Sequence, residues 1–417
     1  MGKALLIARF SATLGNGEES NLFGYGGDET SEVNTQANCT ENATFSNFRS
    51  SILSGNSGTA TFRFRDAGAN GNQTFQITGS PGTNEDAVNT DILSAGDLFN
   101  IAYTDTGTDS TLAWMAGNVQ FSSGHGNFHG AGTFAGVTFD AQSSTRFIGV
   151  AGRFIFDGVT TEDNVAWKVR GYDTFEALQV RVTANARTNN SVLVNRINKG
   201  DGTGSITFAA SETGLKTVSG LADAITDGQV VDVSITLLTG VEDFDISLVV
   251  GTFKSSANKS ESFAHTPSGL ARTASATAHY VCIGGLLDSL TALTEAQARI
   301  KVGFAAVVSN LRCYLSANTY TGNGTLKLYQ NGVAVITTTI TASGGAGWYE
   351  NTSDTITIDA DDELSFEFDE GTSGSITIFL AGITFAPVSA VTQTFMMFPS
   401  RTDGLGRGGI FPGNRVQ

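Results

Sequence analysis

Four histidines set the first limit on the chemistry that this chain of 417 residues can support. His125 and His129 are separated by one helical turn, a spacing that on a helix would place two metal ligands on one face. Gly124, Gly126 and Gly130 surround the pair and disfavour a helix. No third ligand is near them in the sequence. The pattern therefore favours a polar linker, and we predict no metal site.

Two groups of acidic residues are candidates for calcium binding. Neither contains the Asp-x-Asp-x-Asp-Gly loop that encloses calcium in EF-hands. Acidic residues that directly precede a strand usually lie in a solvated turn. We therefore expect turns at both places. The groups are Asp359, Asp361, Asp362 and Glu363 in one case and Glu242, Asp243 and Asp245 in the other.

The stretch Gly55-Asn56-Ser57-Gly58 resembles the nucleophile loop of chymotrypsin-like proteases. In that family the histidine and the aspartate precede the serine, whereas the first histidine here is His125. We predict a turn. No phosphate-binding glycine loop is present either.

Aromatic side chains could stack on sugar rings, and we weigh that function against burial. Large aromatic residues more often fill cores and interfaces, so we expect these side chains there. Without a convergent set of histidines, cysteines or carboxylates, we predict no catalytic residue, no cofactor and no enzymatic activity. The aromatic candidates are Trp114, Trp167, Trp348 and Tyr349.

Composition excludes further classes of function. The net charge of −16 and the pI near 4.6 argue against a nucleic-acid partner, which needs clustered basic residues. No apolar stretch approaches the length of a membrane span. The apolar run from Ala4 to Ala8 is interrupted by Arg9, so we expect no secretory signal. Three cysteines, Cys39, Cys282 and Cys313, suit synthesis in a reducing cytosol.

The elements that would position any site repeat along the chain. A turn followed by an alternating strand recurs at 94–103, 226–235 and 360–368. Each is followed by an apolar strand that ends in phenylalanine. These residues, Phe121, Phe253 and Phe385, lie 132 residues apart both times. A period of that length corresponds to a whole domain, so the sequence predicts three copies of one β-domain.

Within each copy the pattern predicts a β-sandwich. Fifty glycines against five prolines, with alternating apolar residues, are typical of strands joined by tight turns. About eight short strands per copy favour a jelly roll. Asn331-Gly332 predicts a two-residue hairpin, while the matching turns of the other copies are expected in longer glycine-rich stretches near 66–73 and 200–204. One helix is predicted at 294–299.

We predict β-sandwich domains at 1–123, 131–255 and 269–387, followed by an extended C-terminal arm at 388–417. Residues 122–130 and 254–268 are interpreted as linkers. The three domains could pack around a pseudo-threefold axis or lie in a row. The arm combines an apolar cluster with a basic end, which indicates docking on a partner. Its predicted partner-binding residues are Phe395, Met396, Met397, Phe398, Arg401, Arg407 and Arg415.

These features together resemble virion structural proteins of tailed bacteriophages. The resemblance covers most of the chain and lies in tandem Gly/Thr/Ser/Asn-rich β-domains, few cysteines, acidic charge and a terminal arm. It implies a non-enzymatic particle component, either a capsid decoration or minor head protein or a part of the tail, collar or baseplate. It implies other virion proteins or further copies of the chain as partners, and location in the virion after synthesis in the host cytoplasm.

A second function stays open from the sequence. Loops that differ between the copies could make the chain a receptor-binding or carbohydrate-binding protein of a phage tail or a bacterial surface, with a glycan as partner. Exposed tryptophans would indicate this function.

Overall fold

The chain folds almost entirely into β-strands, with 68% strand and 3% helix. This confirms the predicted all-β class. The structure is a computed structural model, and it describes residues 4–8, 13–14, 19–21, 32–55, 57–79, 81–107, 110–121, 126–139, 145–150, 152–153, 160–237, 243–274, 278–286, 294–369, 371–388 and 396–398.

The strands of the described residues form three successive units and one short C-terminal strand. Unit 1 contains β1 (Ala4–Ala8), β2 (Thr13–Leu14), β3 (Glu19–Asn21), β4 (Ala37–Asn38), β5 (Ala43–Ser54), β6 (Thr59–Asp66), β7 (Ala69–Thr78), β8 (Gly82–Leu93), β9 (Leu98–Asp105) and β10 (Ser110–Phe121). Unit 2 contains β11 (Gly126–Phe139), β12 (Thr145–Ile148), β13 (Gly152–Arg153), β14 (Trp167–Lys168), β15 (Thr174–Asn185), β16 (Ser191–Ile197), β17 (Gly200–Phe208), β18 (Gly214–Ala224), β19 (Val230–Leu237) and β20 (Phe244–Lys254). Unit 3 contains β21 (Ser260–Thr273), β22 (His279–Cys282), β23 (Gly285–Leu286), β24 (Ile300–Lys301), β25 (Ala306–Asn318), β26 (Gly324–Gln330), β27 (Val333–Ile340), β28 (Gly347–Ile358), β29 (Glu363–Asp369) and β30 (Ser375–Pro387). The last strand is β31 (Met396–Phe398).

Each unit pairs its strands in the same order. In unit 3 one sheet runs β21-β30-β25-β28 and the other β22-β29-β26-β27. Unit 1 gives β1-β10-β5-β8 and β3-β9-β6-β7, and unit 2 gives β11-β20-β15-β18 and β12-β19-β16-β17. Each sheet thus joins strands that are distant along the chain. This crossed order of eight strands in two sheets is the jelly roll that the sequence predicts.

Alternation of buried and exposed residues explains why these segments form strands. In β26 the buried positions alternate with partly exposed ones, as expected for a strand with one face on the core. The repeated phenylalanines Phe121, Phe253 and Phe385 are all fully buried. In unit 1 the rings of Phe45 and Phe64 stack with centroids 4.1 Å apart. The residues that recur in the sequence therefore build the cores.

A short helix precedes β4, β14 or β24 in each unit. These helices are α1 (Glu32–Thr35), a 3-10 helix at Glu162–Asn164 and α2 (Glu295–Ala298). The predicted helix at 294–299 is confirmed, and the Thr294 side chain caps it together with Gln297. No helix in the described part of the chain is long and apolar enough to span a membrane.

The hairpin turns after β6, β16 and β26 are equivalent in all three units, which corrects the sequence prediction. Each has two central residues between paired strands: Ala67-Gly68, Asn198-Lys199 and Asn331-Gly332. All six residues have positive φ, as a type I′ turn requires. The longer glycine-rich turns predicted in the first two copies are wrong, because Gly71 lies inside β7 and Gly200, Gly202 and Gly204 lie inside β17.

Strands also occupy most of the two predicted linkers. β11 begins at Gly126 and β21 begins at Ser260, so the linker interpretation is wrong for 126–130 and 260–268. Both strands pair along their length with the last strand of their own unit. Glycine and polar residues can occupy these two strands because backbone hydrogen bonds to β20 and β30 keep them in place. The domain boundaries stay predictions.

Candidate functional site

The three units pack against one another in a closed ring. Ala116, Leu248 and Leu380, again spaced by 132 residues, occupy the same position on the last strand of each unit. Ala116 belongs to the core of unit 3, Leu248 to the core of unit 1 and Leu380 to the core of unit 2. Each unit therefore inserts an equivalent residue into a different neighbour. A linear array would lack the contact between units 1 and 3, so the arrangement is pseudo-threefold.

The same two elements meet at every junction. The segment that follows the short helix of one unit lies against β5, β15 or β25 of the next. Unit 1 contacts unit 2 through 36–38, unit 2 contacts unit 3 through 168–172, and unit 3 contacts unit 1 through 301–303. The candidate functional site consists of these three junctions and the C-terminal strand.

The junction between units 2 and 3 is built around a buried ion pair. Arg312 and Glu261 both have fully buried side chains, and their Nη2 and Oε1 atoms are 2.8 Å apart. The Nε of Arg312 donates to the carbonyl of Lys168 at 3.1 Å, and its Nη1 donates to Asn310 and Thr384. Every nitrogen of this guanidinium thus has an acceptor.

The backbone N–H of Arg170 donates to Glu261 Oε1 at 2.6 Å. Burial raises the pKa of Glu261, and the opposing attraction of Arg312 does not cancel that effect. Because the buried carboxylate of Glu261 accepts from Arg170 of unit 2 and from Arg312 of unit 3, it fixes the position of one unit relative to the other.

Two further ion pairs, which are partly exposed, lie at the same junction. Lys168 and Arg170 of unit 2 contact Glu350 of unit 3, with N–O distances of 2.5 Å and 3.0 Å. Burial by itself would raise the pKa of Glu350, but the hydrogen bonds from Arg170 and Lys168 outweigh it and lower the pKa. The junction between units 3 and 1 has the counterpart, in which Lys301 lies 3.1 Å from Glu85.

At the junction between units 1 and 2, the amide side chain of Gln179 makes the contact that ion pairs make at the other two junctions. The Gln179 side chain accepts from the Asn38 backbone N–H at 3.2 Å and donates to the Asn38 carbonyl at 2.9 Å. Arg181 donates to the carbonyl of Gln36. Burial lowers the pKa of Arg181 to about 10. The ring is thus closed by three junctions, two with ion pairs across units and one with the amide of Gln179.

No protein-family model matches this chain, and no curated protein matches it. Comparison with solved structures finds weak likenesses. The insecticidal delta-endotoxin Cry8Ea1 from Bacillus thuringiensis is 10% identical, with a TM-score of 0.18, over 53% of this chain and 54% of the endotoxin chain. A protein in the structure of Sulfolobus turreted icosahedral virus is 14% identical, with a TM-score of 0.17, over 83% of this chain and 79% of that chain. VP2 in a subviral particle of infectious bursal disease virus is 10% identical, with a TM-score of 0.19, over 84% and 74%.

Two of these three proteins come from viral particles, and this chain spans about half the length of the endotoxin chain. At TM-scores this low, none of the likenesses supports an argument about the function of this chain.

The C-terminal arm contributes one strand to the ring. Met396, Met397 and Phe398 form β31, which lies between β1 of unit 1 and β11 of unit 2 and pairs with both in parallel. It thereby joins the two units into one continuous sheet. The other predicted partner-binding residues, Phe395, Arg401, Arg407 and Arg415, lie outside the described residues.

The acidic candidates for calcium lie at turns. Asp362 accepts from the Asp359 backbone N–H and from the Gln330 and Asn331 side chains. Asp361 pairs with Lys301 and Glu363 pairs with Arg299. The predicted turn at 359–363 is therefore confirmed. In the second group Asp243 directly precedes β20 and Asp245 lies inside that strand, so the turn prediction is wrong for Asp245, and Glu242 is outside the described residues.

The remaining chemical candidates do not converge. His129 lies in β11, and His125 falls outside the described residues. Gly55, Ser57 and Gly58 lie in the connection between β5 and β6, as predicted for a turn. Among the described residues no group of three or more His, Cys, Asp or Glu is placed to hold a metal ion.

The aromatic residues lie in cores and at junctions, as predicted. Trp114 is 4% exposed and packs in the core of unit 3, although it belongs to unit 1. Trp167 is buried and lies 4.6 Å from the Phe263 ring of unit 3. Trp348 is half-buried against Tyr314.

Sequence reasoning missed the charged residues of the junctions. Arg312 and Glu261 look like exposed residues in the sequence, because an isolated charge in a strand gives no sign of burial. One signal was present: Asn47-Phe48-Arg49 in β5 and Asn310-Leu311-Arg312 in β25 share the pattern Asn-apolar-Arg.

Proposed function

We propose that this chain is a non-enzymatic structural component of a bacteriophage particle, assembled through its β-sandwich units and its C-terminal arm. The observation that carries the proposal is the closed ring, in which Ala116, Leu248 and Leu380 enter neighbouring cores. Three jelly rolls in one chain imitate a homotrimer while each copy remains free to differ. A particle position of threefold or quasi-threefold symmetry would use this arrangement.

The chemistry of the junctions supports an architectural role. Their charged side chains bond to one another across units, as Lys168 of unit 2 does with Glu350 of unit 3, instead of lining a shared reaction centre. The feature that recurs in all three units is the residue that each inserts into the core of its neighbour.

The arm supplies the proposed contact with other virion proteins or with further copies of this chain. β31 ties the arm to units 1 and 2, and the basic end at 400–417 continues beyond it. We propose that residues 396–398 anchor the arm and that the basic end reaches the partner. The acidic surfaces expected from the net charge of −16 would be complementary to that end on a second copy.

Mass spectrometry of purified particles, combined with a cryo-EM map, tests this proposal. The expected result is a density of three jelly rolls at a symmetric position, which would also decide between a head and a tail location. A protein found only as a free monomer, absent from particles, would overturn the proposal.

Two truncations separate the roles of the arm. Removal of 400–417 should keep the thermal stability of the chain and reduce its incorporation into particles. Removal of 389–417 should in addition lower the melting temperature, because β31 is lost. Equal incorporation of the full chain and both truncations would contradict the proposed role of the arm.

A further inference from the structure

Arg49, at the junction of units 3 and 1, shares its local setting in the strand with Arg312. Each follows an asparagine with positive φ, Asn47 at 52° and Asn310 at 56°. Each donates from Nη1 to the carbonyl of that asparagine, at 3.0 Å and 2.9 Å. Across the strand pair Arg49 lies opposite Glu85, as Arg312 lies opposite Glu350.

The two guanidinium groups differ in what surrounds them. Arg312 has an acceptor at each nitrogen, whereas Nε and Nη2 of Arg49 have no hydrogen-bond partner among the described residues. Arg49 is only 1% exposed. The buried amide of Asn118 also lacks partners for both of its polar atoms within the described chain. Both side chains come within 3.3 Å of the point where a Cβ on Gly303 would lie.

What Arg49 lacks is the carboxylate that Glu261 gives to Arg312. In unit 3, Glu261 of β21 pairs with Thr384 of β30. The next pair along these two strands is Ser262 with Ile383. The equivalent pair in unit 1 is Ala4 and Val119, so the matching sequence position is the residue before Ala4, which is a lysine. The repeat therefore places no acidic residue at this position.

A cavity of about 250 Å³ opens at the same junction, between the two units. Roughly eight water molecules occupy this volume in the liquid. The cavity is therefore large enough for a molecule of monosaccharide size. Both acids in its wall are already paired, Glu85 with Lys301 and Glu363 with Arg299. The residues of its wall that matter here are Arg49, Trp114, Glu85, Arg299, Lys301 and Glu363.

An unpaired buried cation is costly, and a compensating anion removes that cost. We propose that this cavity binds a small carboxylate, whose carboxyl group accepts hydrogen bonds from the Arg49 guanidinium that lines it. The indole of Trp114, which also lines the cavity, covers the body of the ligand. The site exists only in the closed ring, because unit 3 contributes half of its wall.

Titration with glucuronate, with glucose as a neutral match of similar size, tests the proposal. Calorimetry should show saturable binding of one glucuronate per chain, and the melting temperature should rise with glucuronate concentration. Glucose should give neither effect. Equal responses to both sugars, or no response to glucuronate, would overturn the proposal, as would binding of inorganic phosphate without binding of glucuronate.

Two variants locate the binding site. Arg49→Met should weaken glucuronate binding at least tenfold. Asn118→Asp places a carboxylate inside the junction, so it should raise the melting temperature of the free protein and also weaken binding at least tenfold. Lys216→Met, a partly exposed cation on unit 2, is the matched control and should bind as the wild type does. A folded Asn118→Asp protein that binds glucuronate normally would refute the assignment.

Discussion

At the residue scale, the ion pair of Glu261 and Arg312 shows how charges can be buried at a junction. Both side chains are inaccessible to solvent, so each depends on the other and on the surrounding hydrogen bonds. Removing one partner leaves an uncompensated charge, whereas removing both leaves an apolar contact.

We expect Glu261→Leu and Arg312→Met each to lower the free energy of unfolding by about 3–5 kcal/mol. The double variant should recover most of that loss, because no charge remains buried. Urea unfolding of the four proteins measures the coupling. Additive losses in the double variant would contradict this account.

His265 is a second buried polar residue, in β21 of unit 3. It is 1% exposed, and a hydrogen bond with the Asn164 backbone raises its pKa without offsetting the effect of burial. Burial lowers its pKa from 6.5 to about 4. The unfolded chain therefore binds a proton below pH 6.5 that the folded chain does not bind until about pH 4.

Stability should consequently fall as the pH falls from 6.5 towards 4, and this residue should contribute about 3 kcal/mol of the loss. His265→Leu should remove that part of the pH dependence. Urea unfolding at several pH values measures both proteins. Parallel stability curves for wild type and variant would show that His265 does not titrate in this way.

At the element scale, the hairpin turns show which residues specify a strand pair. All three turns need positive φ at both central positions. Unit 3 meets this need with Asn331-Gly332, the favoured pair, while unit 1 uses Ala67, which pays a steric penalty in that region.

We expect Ala67→Asn to raise the free energy of unfolding by about 0.5–1 kcal/mol, because asparagine tolerates the left-handed region. Gly332→Ala should lower it by at least about 1 kcal/mol, since φ is +84° and the new Cβ would lie 2.5 Å from Nη2 of Arg299.

Gly200→Ala is the control, because that glycine adjoins the equivalent turn without a positive φ and its nearest neighbour is 3.5 Å away. Thermal unfolding compares the three variants. A Gly200→Ala loss as large as that of Gly332→Ala would argue against backbone strain as the cause.

At the scale of the whole molecule, the ring couples the three units. Leu248 belongs to a strand of unit 2 but packs in the core of unit 1. Its truncation should therefore weaken the contact between units, whereas truncation of Leu193, which lies in the core of unit 2, should weaken one unit.

We expect the wild type to unfold in a single calorimetric transition. Leu248→Ala should cost about 2–5 kcal/mol and should broaden or split that transition. Leu193→Ala should shift it without splitting it. Three separate transitions in the wild type, unchanged by Leu248→Ala, would show that the units are independent.

The sequence alone determined the unit of construction. Period-two alternation, the phenylalanines at 121, 253 and 385 and the turn residues are local signals, so the β-class, the repeat and the jelly roll followed from them. The helix capped by Thr294 was equally local. The linkers at 126–130 and 260–268 were misjudged because their strands are held by pairing with β20 and β30, far along the chain.

Only the tertiary structure decided how the units meet. Pseudo-threefold packing and a linear array have the same sequence pattern, and only the entry of Ala116, Leu248 and Leu380 into neighbouring cores separates them. In the same way Arg49 and Arg312 look alike in sequence. Their different surroundings depend on residues of other units, because burial and charge compensation arise from contacts across the fold that spacing along the chain does not record.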